Sequence, residues 1–263
     1  SDTHHESLPD SAIDRMYAVM ALCPQHTFMV PTKRAKRRLQ YQESRSEDPG
    51  YLAEHIEKLI DEKLAPPPCG WKRVHYDSGA EGGDSYDWEG PLPLPLPNVW
   101  EGVSVEDQAT ADERIPLLLQ TPAALRFVSY EPALGPVQLT RHHQWCPEHD
   151  YEGGFCCSPC PSLRSINWLI AGGESGPGAR PSHPDWFRSV RDQCQAAGVP
   201  FFFKGWGAWA PWPHGPVAGL KLHQWPDGTV SARFSKRIAG RLLDGREHGE
   251  GPPEALKGET NAE

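Results

Sequence analysis

The chain has 263 residues, 35 acidic against 26 basic, for a formal charge of −9 at pH 7. That balance argues against bulk coating of nucleic acid, which needs clustered lysine and arginine to displace counterions, and no run approaches the ~18 apolar residues that span a bilayer. The length suits one large domain or two small ones, and 25 glycines with 28 prolines, well above the usual share of roughly 12%, predict long loops.

In chain order, Ile13, Met16, Tyr17 and Met20 recur at three and four residues and predict an amphipathic helix from Pro9, capped by Asp10 or Ser11. Residues 27–30 read as a strand closed by Pro31, 33–45 as a charged helix and 51–64 as a second polar helix. Prolines on both sides of a Gly/Asp/Ser-rich middle make 65–97 a surface loop of polyproline character. Residues 99–105 form a strand, 106–119 a helix that Pro116 breaks or restarts, and 125–129 a strand. After a cysteine-rich stretch at 140–164, the apolar run 166–171 suits a strand buried on both faces. Ser182 and Asp185 then form a capping box for a helix whose face is Trp186, Phe187, Val190, Cys194 and Ala197, ending at Gly198. Residues 199–203 are a strand, Pro226, Asp227 and Gly228 a turn between two short extended pieces, and 235–243 a closing helix. The polar stretch 246–263 reads as a disordered tail.

Strands alternating with helices imply crossovers and a mainly parallel sheet in a single α/β domain over 1–245. About five strands complete a doubly wound sheet but leave an eight-stranded barrel about three units short. Ser1 in place of a start methionine favours the incomplete (β/α) barrel. No basic-then-apolar leader opens the sequence, so a cytoplasmic setting with reduced thiols is expected.

The functional face of such a fold lies beyond the carboxyl ends of its strands. The sequence puts Thr32, Lys33 and Arg34 there, then Glu106 and Asp107, Tyr130 and Glu131, Glu174, and Lys204. Glu131, Glu174 and Lys204 are the candidate catalytic groups; ordinary polar loops are the alternative. Gly172, Gly173, Ser175 and Gly176 can aim backbone amides at an anion or cofactor, with Arg180 adding a bidentate contact. A ligand-free tight turn accounts for them equally well. Lys33, Arg34, Lys36, Arg37 and Arg38 form the one basic cluster, read first as a solvated helix face and second as a contact for nucleic acid through Lys33, Arg34, Arg37 and Arg38. Cys146, His149, Cys157 and Cys160, two short chelating pairs around a glycine-containing loop, have the spacing of a closed structural zinc site, with Cys156 able to replace Cys157. Trp206, Trp209 and Trp212 either stack on a ring or anchor their loop to the core.

These residues carry a resemblance. Pro24-Gln-His-Thr-Phe28 with Thr32-Lys33-Arg34, Leu96-Pro-Asn-Val-Trp100 with Gly102-Val-Ser-Val-Glu-Asp-Gln108, Phe127-Val-Ser129 with Glu131-Pro132, Leu134-Gly-Pro-Val137, Gly172-Gly-Glu-Ser-Gly-Pro-Gly-Ala-Arg-Pro181, Phe202-Phe-Lys204 and Leu242-Leu-Asp-Gly-Arg246 resemble the phage-associated family named after gene products thirty-seven and sixty-eight. That family is a domain of unknown function. The resemblance implies a radical S-adenosylmethionine type of barrel, with an iron–sulfur cluster held near the N-terminus of full-length members by three cysteines spaced C-x3-C-x2-C. This sequence has no such motif, and Cys156, Cys157 and Cys160 do not match its spacing. The implied picture is the C-terminal part of an enzyme of unknown substrate, inactive alone, with 65–97 as an insertion. A non-catalytic zinc-containing module that contacts nucleic acid or a protein is the alternative.

Overall fold

A computed structural model of the chain describes residues 2–67, 70–77, 84–139, 165–215 and 217–252. The elements in order are α1 (Asp10–Ala21), β1 (Phe28–Thr32), α2 (Ala35–Glu47), α3 (Gly50–Asp61), β2 (Lys72–Asp77), β3 (Asp84–Glu89), β4 (Val99–Val105), α4 (Gln108–Gln120), β5 (Leu125–Tyr130), β6 (Trp168–Gly172), α5 (Pro184–Ala197), β7 (Phe201–Gly205), β8 (Trp209–Pro211), β9 (Leu222–Gln224), β10 (Val230–Arg233) and α6 (Lys236–Ala239). No helix among the described residues is long and apolar enough to cross a membrane.

Strands β1, β4, β5, β6 and β7 form one sheet in that spatial order, and every neighbouring pair is parallel. A doubly wound sheet reverses its order at a switch point; this one does not, and its consecutive winding is the order that β/α barrels use. Right-handed crossovers in such an order lay the helices on one face. On that face Val103, Val105, Val128, Leu169, Phe201 and Phe203 share a buried cluster with Ile115 and Leu118 of α4 and Phe187 and Val190 of α5. Each such side chain contributes about 1.5–3 kcal/mol through burial. A second cluster joins α1 and α3 to β1 through Ile13, Tyr17, Ile56 and Val30. The opposite face holds Trp100, Phe127 and Ile170, with Trp168 and Phe202 packed against them. A Cβ added to Gly102 would lie 2.3 Å from the Phe127 ring, so this glycine makes room for the ring over the sheet.

Several local expectations need correction. Helix α1 starts after Pro9 with no side-chain cap from Asp10 or Ser11. Strand β1 runs through Pro31 to Thr32. Its Phe28 N–H bonds inward to the Asn98 carbonyl, so alternation turns position 31 outward, where the donor that proline lacks has no strand to serve. Pro116 sits inside an unbroken α4, which gives up one backbone bond and continues under tertiary packing. Ser182 does not cap α5; His183 does, its Nδ1 accepting from the Asp185 N–H, while the Ser182 hydroxyl donates to the Ala133 carbonyl. Within 65–97 lies the antiparallel hairpin of β2 and β3, where Val74 and Tyr76 on one strand and Tyr86 and Trp88 on the other alternate with polar residues, a short period-2 pattern that the flanking prolines and glycines masked. The closing helix shrinks to α6.

The first part of the expected tail is ordered. His248 and Glu250 cover the outer side of β7: Phe203 N donates to the His248 carbonyl at 2.9 Å and Phe201 N to the Glu250 carboxylate at 3.0 Å. Phe202 and Gly249 form an antiparallel bridge. Residues 253–263 lie outside the described residues.

Candidate active-site rim

Each parallel strand ends in polar groups, and the shared strand direction brings these ends to one rim. At β1, Thr32 is buried and its neighbour Lys33 reaches across to Glu106 after β4, Nζ to Oε1, at 2.6 Å. Arg114 of α4 holds the other Glu106 oxygen at 3.0 Å and the Ser104 carbonyl at 2.7 Å. Asp107 is taken up locally, accepting from Thr110 N at 2.9 Å as the α4 cap. At β5, the Tyr130 hydroxyl donates to the Gly135 carbonyl. Glu131 extends to Lys204 of β7, Oε2 to Nζ, at 3.0 Å. Gly172 at the end of β6 lies beneath this pair: an added Cβ would sit 3.4 Å from the Glu131 carboxyl and 3.5 Å from the Lys204 Cβ.

The segment after β6 closes on itself. Glu174 accepts from Arg180 N at 2.7 Å, Nε at 2.9 Å and Nη2 at 2.7 Å. The Arg180 guanidinium is the main reason the Glu174 carboxyl is held down at about 2; its backbone N–H and the charge of Lys33 add to the effect, against the opposing pull of burial. The bidentate contact foreseen for Arg180 is therefore made to Glu174. Gly173 donates its amide to the Gly205 carbonyl at 3.0 Å. A Cβ there would lie 2.1 Å from the Trp206 carbonyl oxygen, so its glycine identity follows from two backbones in contact. Ser175 and Gly176 remain exposed.

Thr32, Glu106, Glu131, Glu174 and Lys204 thus all stand at the carboxyl end of one sheet. Lys33–Glu106, Arg180–Glu174 and Lys204–Glu131 form three ion pairs there. The sequence reading missed Arg114, eight residues beyond Glu106, because its direction depends on how α4 packs.

Four of the five residues of the basic cluster, Lys33, Arg34, Arg37 and Arg38, are spent within the chain. Arg34 pairs with Asp2 and Glu6, Arg37 with Asp10, and Arg38 is fully buried with Nη1 donating to the Gly102 carbonyl at 2.6 Å. As described, Arg38 is not available to a surface partner. The indole N–H groups of Trp206 and Trp209 donate to the carbonyls of Leu242 and Ala179, which is the anchoring role, whereas Trp212 donates to Gly215 within its own loop. Cys146, His149, Cys157 and Cys160 lie outside the described residues. Among the described residues, His183, Asp185 and Asp227 are close enough to share a cation, but the His183 ring is already used, Nδ1 on the Asp185 N–H and Nε2 on Asp227 at 3.1 Å.

A family model matches residues 1–252. The chain belongs to DUF5131, described as a protein of unknown function. No curated protein and no solved structure matches it. The DUF5131 match includes every strand of the parallel sheet and stops at the last residue described, so the rim lies wholly within the family's shared region.

Proposed function

We propose that the rim is the small-molecule site of a barrel-type enzyme. In its finer form, the reading makes this DUF5131 chain the distal part of a phage-associated, radical-S-adenosylmethionine-like protein. The observation that carries it is the Glu131–Lys204 pair: an acceptor and a donor 3.0 Å apart, 27% and 50% exposed, poised over a glycine where the sheet opens to solvent. Such a pair can hold a zwitterionic ligand by both its charges, or take and return a proton at a reacting atom. The neighbouring Lys33–Glu106 pair adds a second donor and acceptor along the same edge.

The described cysteines do not fit an iron–sulfur cluster, which is held by closely placed thiolates. Cys194 is buried in α5, where burial pushes its thiol up to about 12. Its carbonyl accepts from Val199 N just before β7. The Cys23 carbonyl accepts from Asn98 just before β4. Both therefore stand at the amino end of the sheet, away from the rim, and no step is derived through a cluster. The set of Cys146, His149 and Cys157 with Cys160 offers three thiolates and an imidazole, donors that suit structural zinc.

Equilibrium dialysis of S-adenosylmethionine against the full chain tests the reading. Saturable binding weakened about tenfold or more by Lys204→Ala and by Glu131→Gln supports it. No binding, or binding indifferent to both substitutions, overturns it. The zinc-module alternative with a nucleic-acid partner draws less support, because Arg34, Arg37 and Arg38 already have partners in the chain.

A further inference from the structure

The bend that joins β1 to α2 already holds an anion, supplied by the chain itself. Asp2 Oδ1 accepts from Thr32 Oγ1 at 2.6 Å and His4 N at 3.1 Å, and Oδ2 accepts from Lys33 N and Arg34 Nη1, each at 3.2 Å. Burial alone would raise the Asp2 carboxyl; the bonds from Thr32, Lys33 and His4 outweigh it and keep the group below the usual range. Backbone amides, a hydroxyl and a guanidinium converging on one carboxylate make the donor set with which proteins bind carboxylate and phosphate ligands.

Two further features indicate more than a local turn. A cleft of about 410 Å³ opens beside the carboxylate, lined by Asp2, Thr32, Lys33, Arg34 and Ser104 among others. One turn into α2, the Arg38 side chain has 0% exposure while its Nε and Nη2 have no hydrogen-bond partner. Asp2 is among the charges that act on this guanidinium. The segment that brings Asp2 in is also held at a cost. His4 is buried against the rings of Tyr17 and Tyr41 with both ring nitrogens unpartnered, and a buried polar group left so costs roughly 1–3 kcal/mol.

We propose that the β1–α2 bend is a binding site for the carboxylate or phosphate group of a small ligand, and that Asp2 occupies it in cis. The ligand's anionic group replaces Asp2 on Thr32 Oγ1, the Lys33 amide and the Arg34 guanidinium, and its remainder lies in the cleft towards Ser104. A continuous polyanion fits less well, because Glu6 and Asp10 flank the bend on Arg34 and Arg37. This inference stands without the enzyme reading, since holding an anion here needs neither Glu131 nor Lys204.

The test is calorimetric titration of the full chain with inorganic phosphate and, separately, succinate. An in-chain carboxylate competes at an effective concentration on the order of millimolar or above, so Asp2→Asn is expected to bind one anion about tenfold more tightly than the parent. Adding Arg34→Gln should abolish that gain. A gain confined to phosphate identifies a phosphoryl group, and one confined to succinate a carboxylate. Equal affinity of parent and Asp2→Asn, or binding that survives Arg34→Gln, overturns the proposal, as does a single-stranded oligonucleotide binding better than either small anion. If Asp2→Asn melts far below the parent, the parent itself decides by amide spectroscopy. Saturating phosphate must then shift the Lys33 amide that Asp2 now engages, and an unmoved Lys33 signal overturns the proposal.

Discussion

Gly173 has no room for a methyl group, and Gly178, five residues on, has nothing within 4 Å of where one would go. The two glycines belong to one loop yet answer to different causes. Gly173→Ala pushes a Cβ into the Trp206 backbone, which cannot rotate away, and is expected to destabilise by about 3 kcal/mol, the upper end for overpacking. Gly178→Ala is expected to be neutral or to stabilise by up to about 1 kcal/mol through the unfolded chain. Urea midpoints of the two variants check this pair. Glu174 gives a pH prediction. Its folded carboxyl is depressed to about 2 by the Arg180 clamp, so the clamp's contribution is complete above pH ~4.5 and is lost as pH falls towards 2. The group faces solvent, which keeps the effect below about 1 kcal/mol. Thermal melts from pH 6 to pH 2.5 should show a shallower acid loss for Glu174→Gln than for the parent; identical slopes would refute the clamp as its source. At this scale the sequence disclosed which residues reach the rim, since each follows a strand. It did not disclose who pairs with whom: an arginine after a glycine-rich turn looks the same whether it awaits a ligand or holds the glutamate six residues back.

Helix α5 and strand β7 show what was readable at the next scale. Apolar runs mark β4 and β5 nearly to the residue, and Gly198 marks the end of α5 with a left-handed φ of 72°. The start of α5 was misread because the ring of His183 does what serine or aspartate usually does. His183→Ala is expected to cost about 0.5–2 kcal/mol, as loss of a cap does, with hydrogen exchange accelerated at the Asp185 amide; an unchanged amide would show that the cap is idle. The cover on β7 was not legible either, because residues 246–250 act through backbone bonds and one carboxylate rather than through an apolar stripe. Ending the chain at 245 removes the partners of Phe201 and Phe203 N–H. We expect it to lower the melting temperature and to promote association through the bared edge, measured by light scattering during the melt.

Across the whole molecule, the consecutive strand order separates chemistry from scaffold: charged pairs collect at the carboxyl end, while Cys23 and Cys194 mark the amino end. Anaerobic reconstitution with iron and sulfide should accordingly give no cluster that depends on those two cysteines, so Cys23→Ser with Cys194→Ala should leave any absorbance near that of the parent. Metal analysis should find about one equivalent of zinc if the set at 146–160 is filled. The mainly parallel sheet followed from alternation of pattern, but its strand order did not, and the packing of the N-terminal segment onto the basic cluster depends on contacts distant in sequence that no local periodicity records.

The cover on β7 also orders events in time. A chain made from its N-terminus at roughly 5–20 residues per second presents β1, β4, β5 and β6 to one another before the residues that finish the sheet exist. Phe201 and Phe203 find their outer partners only when positions 248 and 250 have emerged. Until then the nascent sheet ends in an open, aromatic strand. During synthesis the interval between residues 205 and 250 therefore leaves this edge open to pairing with a neighbouring chain on the same message.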